Sequence, residues 1–197
     1  MISFLVTLFS CKQKVNTTET AIIIPPVTAT KDASFKFSNG YLYQNDSLFS
    51  GVLQQFYPSG KLLESHSYYK GKEEGWQKTF YENDSLETMR YYHFGEKDST
   101  HTGYWENGRI KFEYHFKNGI YNGDFREWYS NGQPAVYIIY KDGQDLSGKG
   151  WRDNGKIYMN YVVRNARRYG LFNARLCYSL KNERGEYVEN VKTNGQR

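Results

Sequence analysis

The side chains able to do acid–base, nucleophilic or metal chemistry are few and scattered. The four histidines, His66, His93, His101 and His115, show no His-x-His or His-x-x-x-His spacing that would bring two imidazoles to one metal. His66 and His115 fall on strand positions of opposite parity and so face opposite ways, which suits surface or ladder positions. Cys11 and Cys177 form neither a Cys-x-x-Cys pair nor a Cys/His zinc spacing, and Cys177 reads as a small buried apolar residue. Acidic residues gather in loops, at Glu73-Glu74 and Glu96-Lys97-Asp98; there they would line one edge in a row, whereas glycoside cleavage needs two carboxylates facing each other. A nucleophile elbow, a P-loop and a dinucleotide fingerprint are all missing. We therefore expect no enzyme, no cofactor and no metal. What the chain has in excess is aromatic surface, with 19 Tyr and 12 Phe. Tyr57, Tyr81, Trp105 and Tyr129 are the second members of aromatic pairs and form a candidate binding stripe for a peptide, glycan or lipid surface, since such rings offer rigid contact area with a polar tip. Packing of both pair members within the fold is the alternative.

The elements that would position this stripe follow from a period. Gly71, Gly95, Gly119 and Gly143 recur every 24 residues, and Gly51, Gly75 and Gly123 keep the same step, with Ser99 in the remaining slot. The pairs Phe56-Tyr57, Phe80-Tyr81, Tyr104-Trp105 and Trp128-Tyr129 march with them, as do Ser59-Gly60, Asn83-Asp84, Asn107-Gly108 and Asn131-Gly132. A fifth unit arrives one residue early, with Trp151 and Asn154-Gly155. Several markers on one spacing define an internal repeat. Each unit reads as a β-hairpin: a strand from the Gly to the aromatic pair, a two-residue Asn-Gly turn with both residues at positive φ, and a second strand that alternates, as in Ile110, Phe112, Tyr114 and Phe116. A Gly-x-x-x-Gly loop would then lead into the next hairpin. A lone hairpin cannot bury its apolar face, so the units must stack. Columns such as Tyr68, Tyr92, Phe116 and Tyr140, or Leu62, Leu86 and Ile110, are expected side by side. The fold expected is all-β, an elongated antiparallel sheet of stacked hairpins over residues 35–180, with Gly170 in the next unit's first-Gly slot and Leu171, Phe172 and Cys177 in a capping strand.

The spacing G-x4-FY-x2-G-x-L-x5-YY-x2-G resembles the MORN repeat family over about residues 40–170, and is most similar to the bacterial MORN-variant proteins labelled as YwqK-type antitoxins. Residues 40–51, GYLYQNDSLFSG, look like the strand that precedes a first repeat. Unit three departs with Ser99 and an extra Gly103, and unit five with Arg152 in place of the second aromatic. The resemblance implies a gently twisted sheet, no active site, and a role as a scaffold, a membrane-associated module or an antitoxin.

Both ends add to this. Residues Ile2–Ser10 are mostly apolar but too short to span a bilayer, and fit the core of a secretory signal. Leu8-Phe9-Ser10-Cys11 resembles a bacterial lipobox, which makes residues 1–11 a signal with Cys11 as the acylated residue; an unprocessed apolar terminus is the alternative. Residues 12–34 read as a flexible tether and 181–197 as a polar tail. Residues 1–160 hold 18 Lys/Arg and 18 Asp/Glu, so the net charge of +5 lies wholly in residues 161–197. A neutral repeat region argues against nucleic acid, and a mean hydropathy of −0.79 argues against a membrane span. The expected function is an interaction or scaffold module, lipid-anchored in a bacterial envelope and binding a protein or surface polymer. The alternative is an antitoxin neutralising a cytoplasmic toxin, which an exported, acylated Cys11 would exclude.

Overall fold

A computed structural model of the chain describes residues 22–25, 27–172, 180–181 and 187–188. Cys11, Cys177, the signal and most of the tail lie outside them. Among the described residues every regular element is a strand. Thr28–Thr30 (β1) runs parallel to Gly51–Phe56 (β5), at the edge of a twelve-stranded sheet. Strands Phe35–Ser38 (β2), Tyr41–Gln44 (β3) and Ser47–Leu48 (β4) form a small separate meander. From β5 the large sheet proceeds strictly in chain order, each strand antiparallel to the last: Leu62–Tyr69 (β6), Lys72–Phe80 (β7), Leu86–His93 (β8), Glu96–Tyr104 (β9), Ile110–Lys117 (β10), Ile120–Trp128 (β11), Pro134–Lys141 (β12), Gln144–Trp151 (β13), Ile157–Arg164 (β14) and Arg167–Leu171 (β15). Leu180–Lys181 (β16) pairs with Tyr187–Val188 (β17) in a two-stranded ladder. The all-β array of consecutive hairpins is as the period requires.

Local chemistry corrects the two connections. Asn-Gly does not make a two-residue turn here. In its loops only the last residue has positive φ, as at Gly60 (85°), Asp84 (67°), Gly108 (79°), Gly132 (88°) and Gly155 (78°). The Tyr57 amide donates to the Lys61 carbonyl and the Gly60 amide to the Tyr57 carbonyl, which defines a three-residue loop closed by a left-handed residue. The tight turns with two left-handed residues lie at the opposite edge, at Lys70-Gly71, Phe94-Gly95, Asn118-Gly119 and Asp142-Gly143. The Gly-x-x-x-Gly segments are therefore not loops: the first Gly ends a tight turn and the strand starts at once. The second slot is a bulge within the strand, with Gly75 at φ 80°, Ser99 at 57° and Gly123 at 115°. The fifth unit is one residue short at this bulge, and no residue from 144 to 147 adopts positive φ. In the last tight turn Ala166 (φ 56°) follows Asn165, so Ala166 takes the slot expected of Gly170, which instead pairs with Tyr161 on β15.

Strand register puts Tyr68, Tyr92, Phe116 and Tyr140 on one face, here the front, with His66 and His101; His115, Tyr91 and Tyr137 lie on the back. The expected column of four touching rings is not what forms. Equivalent residues sit two strands apart, ~9.4–9.8 Å, beyond the ~4.5–7 Å reach of packed rings. The strand between supplies the bridge. Ring centroids run Tyr92 to His101 5.3 Å, His101 to Phe116 4.6 Å, Phe116 to Tyr121 4.5 Å and Tyr121 to Tyr140 5.0 Å. At the N-terminal end the meander closes the front face: Leu42 and Phe49 pack with Leu53 and Tyr68 in a buried cluster flanked by Ala29 and Phe35. Residues 28–30 thus belong to the sheet, not to a tether.

Candidate binding surfaces

The stripe residues stand at the three-residue loops, and each spends its polar tip on the next unit. Tyr57 donates its hydroxyl to the Phe80 carbonyl (2.9 Å), Tyr81 to that of Tyr104 (2.8 Å) and Tyr129 to that of Trp151 (2.8 Å), while the Trp105 indole N–H reaches the Trp128 carbonyl (3.1 Å). The step is 23 residues and becomes 22 where the fifth unit is short. Burial raises the pKa of all three Tyr phenols, so they stay donors. Each ring is half-buried, and its face is what remains to offer a ligand. Lys61 adds a second tie at this edge, to the Glu82 carbonyl and the Asp84 carboxylate.

The opposite edge is tied with the polarity reversed. Each tight turn begins with a left-handed residue whose N–H points out of the ladder, and an oxygen 20 residues earlier accepts it. Ser50 Oγ accepts from Lys70 (2.7 Å), Glu74 from Phe94 (2.8 Å) and Asp98 from Asn118 (3.3 Å). Glu74 is only 4% exposed and its second oxygen meets His93 Nδ1 at 3.0 Å. The sequence analysis placed Glu73-Glu74 and Asp98 among solvated loop acids and missed this ladder. The signal was present in the period, because Ser50, Glu74 and Asp98 are spaced by 24 and all accept hydrogen bonds.

Two grooves separate the faces. On the front, Phe112, Tyr114, Phe116 and Tyr121 floor a groove of about 380 Å³ rimmed by Arg90 and Lys97. Phe112, Tyr114 and Phe125 stack at 4.5 and 4.1 Å between centroids, and Phe112 lies over Gly103, where a Cβ would come within 2.1 Å of its ring. Burial, then the hydrogen bond from its hydroxyl to Glu127, pushes the Tyr114 phenol far up. On the back, Glu74, Tyr91, Asp98, His115 and Asn122 border a groove of about 830 Å³ that Ile22 enters. His101, 2% exposed, donates or accepts at the Tyr91 carbonyl (2.8 Å) as Gln77 Nε2 does at that of Ser67 (2.8 Å) one unit earlier; burial lowers its pKa. Among the described residues no three His, Cys, Asp or Glu side chains are grouped to hold a metal, and no helix is long and apolar enough to cross a membrane.

An open sheet of hairpins repeated every 24 residues, tied at both edges unit to unit, defines a repeat array whose individual units are interchangeable rungs. Three of those rungs, residues 50–70, 97–118 and 121–142, match the MORN repeat variant, a class of repeats that are in general interaction modules and typically not catalytic. No curated protein and no solved structure matches the chain.

Proposed function

We propose that the protein is a non-enzymatic scaffold, held to a bacterial envelope membrane through a lipid on Cys11, that binds a protein or surface polymer along its array. The observation that supports binding is the regular placing of Tyr57, Tyr81, Trp105 and Tyr129, one aromatic ring per unit along one edge. Contacts offered at a fixed step reward a ligand that is itself long or repetitive, because each further contact becomes intramolecular. Deleting residues 97–120 removes one whole unit and preserves the period, so it shortens the array without opening it. Capture from a native envelope fraction by the full chain, against this shortened chain, reads the prediction: the shortened chain recovers the same partner with at least about tenfold weaker retention. Equal retention sinks the array-wide reading. Labelling with a fatty-acid analogue tests the anchor separately; the label must be lost in Cys11→Ser. Recovery of a single cytoplasmic toxin by an unlabelled chain would favour the antitoxin alternative.

A further inference from the structure

The back face carries a channel that runs across the hairpins. Gly51 opens it at the sheet edge, and the bulge positions Gly75, Ser99 and Gly123 follow, one per unit. The chain's own N-terminal segment lies in its first two seats. A Cβ at Gly51 would stand 2.6 Å from the Val27 carbonyl oxygen, and one at Gly75 would stand 3.1 Å from Ile24 Cδ1. The Val52 amide holds the Val27 carbonyl at 2.7 Å. Three residues of the segment therefore advance one unit of the sheet.

That ratio has a physical cause. One unit is two strands, ~9.4–9.8 Å across the sheet. A polyproline-II strand advances ~3.1 Å per residue and repeats its facing every three residues, ~9.3 Å. Pro25-Pro26 lies between the two seated residues, and proline fixes φ near −65° while driving the residue before it into the extended region. The pitch of such a strand and the pitch of the array coincide.

The channel continues past Ile24. Ile22 borders the 830 Å³ groove, whose lining includes Ser99, Thr100, His115 and Asn122. At three residues per unit, the residue for the Ser99 seat is Ala21 and the residue for the Gly123 seat is Thr18, and both are small. We propose that this groove is the docking site for the chain's own residues 18–21, which lie outside the described residues, laid across units three and four on the course set by Val27 and Ile24. Covalent continuity gives the segment an effective concentration in the millimolar range, so a foreign strand reaches the groove only by displacing it. The back face is then self-covered and the front face is the one left to partners. None of this depends on the scaffold reading.

The test uses the full chain with Cys11→Ser and Cys177→Ser, into which cysteine pairs are introduced. On mild oxidation Thr18→Cys with Asn122→Cys closes at least about tenfold faster than Thr18→Cys with Val136→Cys on the front face, reflecting the difference in effective concentration. Ala21→Cys with Thr100→Cys reads the preceding seat through different side chains, and the same advantage is expected over Ala21→Cys with Val136→Cys. The proposal is overturned if neither back-face pair outruns its front-face control, or if Thr18 closes onto the Gly75 seat, read with Ser67→Cys, faster than onto Asn122.

Discussion

The two long edges of the array solve one problem with opposite chemistry. At the three-residue loops the last strand residue leaves a carbonyl facing outward, and the neighbouring unit brings a donor, the hydroxyl of Tyr57, Tyr81 or Tyr129 or the indole of Trp105. At the tight turns the left-handed residue leaves an N–H facing outward, and the neighbouring unit brings an acceptor, Ser50, Glu74 or Asp98. Donor residues at the acceptor edge would leave both partners unpaired, so the two rows cannot be exchanged. The carboxylate edge makes charge-assisted bonds and the phenol edge neutral ones, which orders their expected strengths.

Breaking the acceptor edge at its most buried member has the largest effect. Glu74→Ala leaves the Phe94 N–H without its acceptor beside a residue already held at φ 49°, and should cost about 2–3 kcal/mol in a urea titration; Glu74→Gln should recover part of it. A loss no larger than that of a phenol substitution would contradict the ordering of the edges. Breaking the donor edge at Tyr81→Phe removes one neutral bond to the Tyr104 carbonyl and should cost about 1 kcal/mol, with the array still folded by circular dichroism. Between the edges, Ser99→Gly places a residue free of left-handed strain at φ 57° and should stabilise by about 0.5–1 kcal/mol. A neutral or negative result would mean that the Ser99 hydroxyl, 3.1 Å from Asp98, supports the acceptor row more than strain opposes it.

The smallest effect sharpens the comparison through pH. Burial lowers the pKa of His101 in the folded chain, so its contribution is present above the unfolded value of about 6.5 and is lost as pH falls through the folded value. In His101→Gln, which copies Gln77 in the preceding unit, that share of the acid sensitivity should vanish while stability above pH 7 changes little. Melting temperatures of both chains across pH 4–8 decide it. His66, also shifted down by burial, would keep part of the slope in either chain.

The period was legible because it is written redundantly: glycines, aromatic pairs and turn residues each carry it, and hairpin stacking follows once a single hairpin is seen to be too small to bury its face. The turn types were not legible, because Asn-Gly fits both a two-residue turn and the closing half of a three-residue loop. Only hydrogen bonding such as Tyr57 to Lys61 distinguishes them. Lys70 and Phe94 gave no sign of a left-handed conformation, since the residue that makes it tolerable lies 20 positions earlier.

Sequence alone determined that this chain builds a sheet of equal hairpins, because a spacing kept by independent residue types survives any local ambiguity. Tertiary structure decided what touches what. Side chains that are equivalent in sequence lie two strands apart, too far to meet, so every contact in the array is made with a residue the repeat does not name. His101 between Tyr92 and Phe116, and Glu74 beneath Phe94, are of that kind.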